Sequence, residues 1–497
     1  MNYLSTRDKS VKLNSSQAIA KGISSEGGLF VPETIPTLTI EKINSLIKLD
    51  YISRAKEILK LFLTDFSKDE LDYCVENAYK EGKFSSEKVA PTVSVYDNVS
   101  LLELWRGPTC AFKDMALQLL PYLLTVSAKK ACPDEEIVIL VATSGDTGKA
   151  ALEGFRDVPN TRILVFYPVD GVSPMQKLQM TTQEGNNVSV CAIKGNFDDA
   201  QNGVKAIFTN KEIEEKFKEH SLVFSSANSI NWGRLVPQIV YYVSAYCDLV
   251  EQGRITLGEK MNVVVPTGNF GNILAAYYAK EMGVPIKKLI CASNANNVLT
   301  DFINTGVYDK NREFFMTASP SMDILISSNL ERLLFLLSGM DDTFVSDIMK
   351  KLKETGKYEV PKSVLAALQE TFAAGCCDDT ATKKTIKETY EKYNYLCDTH
   401  TAVAVNVANE YIARTGDKTP TVIASTANPY KFSKSVLSAV KENVSSTDEF
   451  SMVDELNEFT GVPVPAQLAS LKGKTPRFNN VADKDDMPRV VLDMLGI

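Results

Sequence analysis

The chain has 497 residues, a length that predicts roughly two to four domains with room for large cores. Hydrophobic residues at 44% and charged residues at 23% are those of an ordinary soluble globular protein. A net charge of -8 with no basic run argues against a nucleic-acid partner, and no apolar stretch near a motif approaches the roughly 20 residues of a membrane span.

Residues 1–95 open with the Gly/Pro-rich segment Glu26-Gly27-Gly28-Leu29-Phe30-Val31-Pro32 and continue in helical patterns through Lys80. They predict an N-terminal, mainly helical domain that ends near Ala90-Pro91-Thr92. A helix follows Lys113, and Pro121 should kink or end it. From about residue 135 short β-branched runs alternate with helical patterns. Ile137–Ala142, Ile163–Tyr167 and Val188–Ile193 read as strands, with helices over Thr147–Phe155, from Ser173-Pro174 onward and over Asp198–Phe208. After a long helix over Gly233–Glu251 the pattern resumes. Asn262–Pro266, Leu289–Ala292 and Thr421–Ser425 read as strands, and Asn272–Met282 and Phe432–Val440 as helices. Such alternation predicts an α/β protein of two lobes with mostly parallel sheets, the first over residues 96–260 and the second over 261–497. Residues 320–395 are lysine-rich with no strand signal and read as a helical insertion in the second lobe.

Four segments carry candidate chemistry. Leu104 to Leu117 places Lys113 after the turn Gly107-Pro108-Thr109, between Phe112 and Asp114. A lysine held in a pocket beside an aromatic ring has a lowered pKa and can form a Schiff base with a carbonyl cofactor. A solvated lysine at a helix start is the competing reading. Thr143-Ser144-Gly145-Asp146-Thr147-Gly148 stands between a strand and a helix, where N–H groups and hydroxyls suit a carboxylate or phosphate. It is not a Walker loop, because Thr143 and Ala150 occupy positions that need Gly and Ser or Thr. Pro266-Thr267-Gly268-Asn269-Phe270-Gly271-Asn272 again follows a strand and precedes a helix, and its glycines allow a phosphate cradle. Ala424-Ser425-Thr426-Ala427-Asn428-Pro429-Tyr430-Lys431-Phe432 ends the last strand, either as a hydroxyl partner for a ring nitrogen or as an ordinary capped turn. With only His220 and His400, a three-His zinc site is excluded, and nine cysteines without a C-x-x-C pair read as reduced thiols.

These segments, with Ser229-Ile230-Asn231-Trp232-Gly233-Arg234 and Tyr3-Leu4-Ser5-Thr6-Arg7-Asp8, resemble the threonine synthase family over nearly the whole chain, in its long fungal and bacterial form. The resemblance implies the fold type II, tryptophan-synthase-β-like architecture of pyridoxal 5'-phosphate (PLP) enzymes. It implies a lyase that converts O-phospho-L-homoserine and water to L-threonine and phosphate, the last step of threonine biosynthesis. Carried over to these positions, Lys113 holds PLP and moves protons, Gly268, Asn269, Phe270 and Asn272 hold its phosphate, and Thr426 faces the pyridine nitrogen. Ser144, Gly145, Asp146 and Thr147 grip the substrate α-carboxylate, and Asn231 and Arg234 read its phosphate. No metal, membrane or obligate protein partner is expected, and the absence of a leader pattern at Met1–Lys9 suggests a cytoplasmic protein. The alternatives are a threonine-synthase-like phospho-lyase, a serine/threonine dehydratase of the same fold, and a non-catalytic ligand-binding relative.

Overall fold

A computed structural model describes every residue of the chain except 132, 144, 171 and 209, and the side chains of 197 and 198. Two mostly parallel sheets organise it. The first has five strands in the order Val481–Asp483, Val188–Lys194, Thr161–Pro168, Glu136–Ala142, Leu222–Ser225, all parallel. The second has six, in the order Phe372–Cys376, Ile286–Ser293, Met261–Pro266, Thr421–Ser425, Val99–Glu103, Thr92–Tyr96. Only its last pair is antiparallel. The central strands are buried along nearly their whole length, as parallel strands covered by helices on both faces must be.

The lobes interleave along the chain and do not divide at 260. Val99–Glu103 pairs with Thr421–Ser425, more than 300 residues away, and Val481–Asp483 closes the edge of the first sheet. Parallel neighbours are joined by crossovers, so sheet order follows which apolar strands fit side by side and not their sequence order. Residues 320–395 are helical as expected but also supply strands: Lys357–Glu359 pairs with Val307–Asp309, and Phe372–Cys376 extends the second sheet. The latter reads Phe-Ala-Ala-Gly-Cys and has no β-branched residue to signal it.

The N-terminal helices, Ser15–Lys21, Ile40–Leu46, Tyr51–Phe62 and Lys68–Tyr79, are joined by a small antiparallel sheet of Lys12–Leu13, Tyr3–Ser5 and Phe30–Pro32. Its strands, two or three residues long, are too short for an alternating pattern. The helix Trp232–Glu251 is buried on all sides from Trp232 to Leu249 and forms the spine between the N-terminal region and the lobes. Pro121 does end the helix before it: Asp114–Leu117 stops, and Leu120–Ala131 starts with the proline in its first turn, where a missing N–H costs little.

Candidate active site

The parallel pair Val99–Glu103 and Thr421–Ser425 sends two loops out side by side at the carboxyl ends of neighbouring strands. They are laced together by backbone. The Leu104 N–H donates to Ser425 O at 2.9 Å, the Phe112 N–H to Thr426 O at 2.8 Å, and the Asn428 N–H to Cys110 O at 3.0 Å. The turn before Lys113 is closed by Asp114, whose carboxylate accepts the Thr109 N–H at 2.8 Å and its hydroxyl at 2.7 Å. Burial pushes the Asp114 carboxyl up to about 6, against the pull of those bonds. Lys113 stands at the start of the next helix with only 11% of its side chain exposed. Its ammonium lies 5.4 Å from the Phe112 ring centroid and 3.9 Å from Asp146 Oδ2. Burial lowers it to about 8; Asp146 opposes that shift, and the cations Arg234 and Lys431 add to it. The same loops place Thr426 against Phe112, the residue before Lys113. Its hydroxyl makes no hydrogen bond within the chain among the described residues.

The second loop follows Glu136–Ala142. Ser144 lies outside the described residues. Thr143 Oγ1 accepts the N–H groups of Gly145 and Gly148, each at 2.9 Å, so the Gly145 N–H is spent on the loop itself. Gly145 has φ 142° and a side chain there would strike Gln176, so this position serves the shape of the turn. The N–H groups of Asp146 and Thr147, at the start of the helix Asp146–Phe155, have no acceptor among the described residues and suit an anion. The Asp146 carboxylate cannot grip another carboxylate. It is paired with Lys431 at 2.9 Å and accepts from Gln176 Nε2 at 2.9 Å. Burial works against its charge, but Lys431 and Lys113 prevail and hold its pKa well below the usual carboxylate range.

The third loop follows Met261–Pro266. Phe270 takes a left-handed backbone, φ 63°, and buries its ring 5.8 Å from that of Phe372, so only its N–H faces the loop. The N–H groups of residues 268–273 have no acceptor among the described residues. Gly268 has no room for a side chain, since a Cβ would lie 2.8 Å from Ser321 O. The exposed Asn269 is held through its carbonyl, which accepts from the Asn329 N–H at 3.1 Å and from Asn329 Nδ2 at 2.9 Å. Asn272 is buried; its Oδ1 accepts from the Tyr242 hydroxyl while Nδ2 is left without a partner. A buried orphan donor beside six free N–H groups is a socket for an anion.

The segment 229–234 divides its labour. Asn231, expected beside the substrate phosphate, spends both amide protons on Ile19 O and Ser226 O, each at 3.0 Å, and accepts the Gly233 N–H at 2.8 Å. It is the cap of the long helix and has no donor left for an anion. Trp232 packs among Tyr3, Phe62 and Tyr278, with centroids 5.3, 5.8 and 5.4 Å away. Gly233 is pressed against Leu120. Arg234 is the member left for chemistry. Its Nη1 donates to Ala227 O at 2.8 Å, and among the described residues Nε is buried without a partner and no carboxylate pairs with it. Burial lowers its pKa to about 10.

Sequence reasoning passed over several groups. The sequence pattern assigns no role to Lys431, at the end of the fourth segment, or to Gln176 and Gln179, on the helix Pro174–Thr181. Arg332 donates to Phe30 O, Asn329 Oδ1 and Ile230 O, and so fixes the asparagine that holds Asn269. His400 joins Asp398, at 2.9 Å, to the Ser321 N–H, at 3.2 Å, behind Gly268. A charged residue inside an otherwise small or apolar segment was the one available signal. Among the described residues, no cluster of three or more His, Cys, Asp or Glu could hold a metal.

Three family models match the chain: threonine synthase N terminus over residues 2–79, pyridoxal-phosphate dependent enzyme over 97–426, and threonine synthase, C-terminal, over 401–491. Human threonine synthase-like 1 is 41% identical over 459 residues, covering 90% of this chain and 61% of that protein. The chain thus spans about three-fifths of the length of such relatives. The Pseudomonas aeruginosa threonine synthase is 41% identical over 438 residues, 88% of this chain and 90% of that one. Among solved structures, PLP-bound threonine synthase from Brucella melitensis superposes with a TM-score of 0.88 at 36% identity, over 99% of each chain. The yeast enzyme has the same TM-score at 33% identity, over 100% and 99%. The residues present fit PLP: a free-donor socket for its phosphate at 268–273, a buried lysine for its aldehyde, and an unengaged hydroxyl at Thr426. The chain therefore belongs to the threonine synthase family of PLP-dependent enzymes, with the fold type II architecture of that family.

Proposed function

We propose that the protein converts O-phospho-L-homoserine and water to L-threonine and phosphate, as the last step of threonine biosynthesis in the cytoplasm, with Lys113 carrying the cofactor. The observation that carries this reading is a buried lysine lowered to about 8 in the field of a buried arginine that has no carboxylate partner among the described residues. An arginine buried with its Nε unsatisfied is suited to take up an anion. No helix among the described residues is long and apolar enough to cross a membrane, which accords with a site open to a small soluble substrate.

Bound PLP supplies an electron sink for negative charge that develops on the substrate carbons. The remaining work falls to the chain. The N–H groups of Asp146 and Thr147 orient the α-carboxylate, and Arg234 takes the γ-phosphate through charge-assisted bonds. Lys113 Nζ removes the Cα proton, for which a lysine near 8 is suited and one at its ordinary value is not. Loss of a Cβ proton then expels phosphate from Cγ, Cγ takes up a proton, water adds its hydroxyl at Cβ and Cα regains its proton, so substrate and water are fully accounted for in threonine and phosphate.

The test is to incubate the PLP-loaded protein with phosphohomoserine and measure phosphate and threonine together. Equal amounts are expected. Phosphate with a keto acid in place of threonine would instead support the threonine-synthase-like phospho-lyase reading, which the 41% identity to human threonine synthase-like 1 keeps in play. Deamination of serine or threonine with no phosphate requirement would point to a dehydratase.

A further inference from the structure

We propose that Lys431 is a positioning residue: by holding the Asp146 carboxylate in a buried ion pair, it withholds that carboxylate from Lys113 and leaves the Lys113 amine free to react. The inference rests on Lys113 as the cofactor lysine, and it deepens that reading.

Lys431 is fully buried, and its ammonium meets three acceptors: it donates to Thr109 O at 2.9 Å and to Gln179 Oε1 at 3.1 Å, and it is ion-paired with Asp146 Oδ1 at 2.9 Å. Those acceptors belong to three separate elements. Thr109 is in the turn that presents Lys113, Gln179 is on the helix Pro174–Thr181, and Asp146 opens the helix Asp146–Phe155. The ammonium is thus saturated and fixed, and it is no candidate for a second proton carrier. The consequence for Asp146 is geometric. Gln176 Nε2, at 2.9 Å, and Lys431 share Oδ1, so Oδ2 is left facing Lys113 at 3.9 Å. That is beyond the roughly 2.7–2.9 Å of a charge-assisted hydrogen bond.

Four charges face Lys113: Asp146 and Asp114 favour its ammonium, while Arg234 and Lys431 oppose it. Removing Lys431 deletes one opposing charge and leaves a buried carboxylate whose nearest remaining cation is Lys113. Both effects have the same sign. The carboxylate closes on Lys113, and the amine holds its proton more tightly.

The experiment follows cofactor capture, not turnover. Protein stripped of PLP is mixed with PLP across a pH series, and the rate at which the visible absorbance returns is recorded. Only the neutral amine attacks the aldehyde, so the wild-type midpoint should lie near pH 8. Lys431→Met should move it upward by about one unit or more. Lys431→Gln, which keeps a hydrogen-bonding group should the methionine variant fail to fold, should move it the same way. Adding Asp146→Asn to the Lys431→Met protein should bring it back down. A midpoint unmoved in both single variants, with thermal stability alone reduced, would make Lys431 a structural tie and overturn the proposal. Borohydride reduction of wild-type protein checks the underlying reading separately: a pyridoxyl group found on another lysine would overturn the assignment of Lys113, and this proposal with it.

Discussion

Lys113 and Arg234 are two buried cations that the proposed reaction uses in opposite ways. Lys113 must be able to lose its charge, and burial beside Phe112 lowers it to about 8. Arg234 must keep its charge and wait for an anion. Lys113→Ala is expected to yield folded protein that binds PLP without a covalent link. It should show no borohydride-stable pyridoxyl group by mass spectrometry and no phosphate release. Arg234→Ala is expected to separate substrate groups. It should weaken a non-reacting phosphonate analogue by about one to two decades, since one charge-assisted pair is worth about 1.5–3 kcal/mol. An unphosphorylated amino acid should bind about as before. Equal weakening of both ligands, measured by cofactor spectral titration, would move Arg234 away from the phosphate. Lys149, on the helix Asp146–Phe155, is already engaged by Glu153 at 3.0 Å and by Gln183, so it is a poor substitute.

At the scale of elements, the site is made of helix starts, and the two glycines of the third loop are not equivalent. A Cβ on Gly268 meets backbone, Ser321 O at 2.8 Å, whereas one on Gly271 has its nearest neighbour, Asn329 Nδ2, at 3.5 Å. Gly268→Ala should therefore displace the loop and let PLP escape on dialysis, while Gly271→Ala should keep its colour. Asn231→Ala should act on stability: loss of a buried cap costs about 1–2 kcal/mol, read as a lower thermal midpoint, with the phosphonate affinity unchanged. These elements also show what was legible in the sequence. Ile137–Ala142 and Thr421–Ser425 announced themselves because parallel strands are apolar on both faces, and Ser173-Pro174 announced a helix start through its cap. Lys113 and the loops proposed to bind anions stand out in the sequence because glycine and hydroxyl residues between strand and helix have few other uses. Phe372–Cys376 was not, since it is set by the edge it completes. Asn231 was misread because a cap and a ligand use the same side chain, and only the carbonyls of Ile19 and Ser226 decide between them.

Across the whole molecule, the N-terminal helices are fastened to the spine helix by one buried ion pair as well as by the aromatic cluster around Trp232. Arg54 Nη1 donates to Asp248 Oδ1 at 2.7 Å and to Ser244 Oγ at 2.8 Å, while its other nitrogens reach Leu46 O and Ile47 O. Both side chains are about 95% buried. The spine carries Arg234 at its other end, so this fastening bears on the site only through the rigidity of one helix. A buried pair of this kind contributes little over a well-packed apolar pair, but breaking it by halves strands a charge. Arg54→Met alone should therefore cost about 3–5 kcal/mol, and Arg54→Met with Asp248→Leu should recover much of that loss. The loss should appear as a lower thermal midpoint of the PLP-loaded protein, with the visible spectrum at 25 °C retained in all variants. If the double variant proved as unstable as the single one, the carbonyl bonds of Arg54 to Leu46 and Ile47, and not its charge pairing, would be what docks the N-terminal helices.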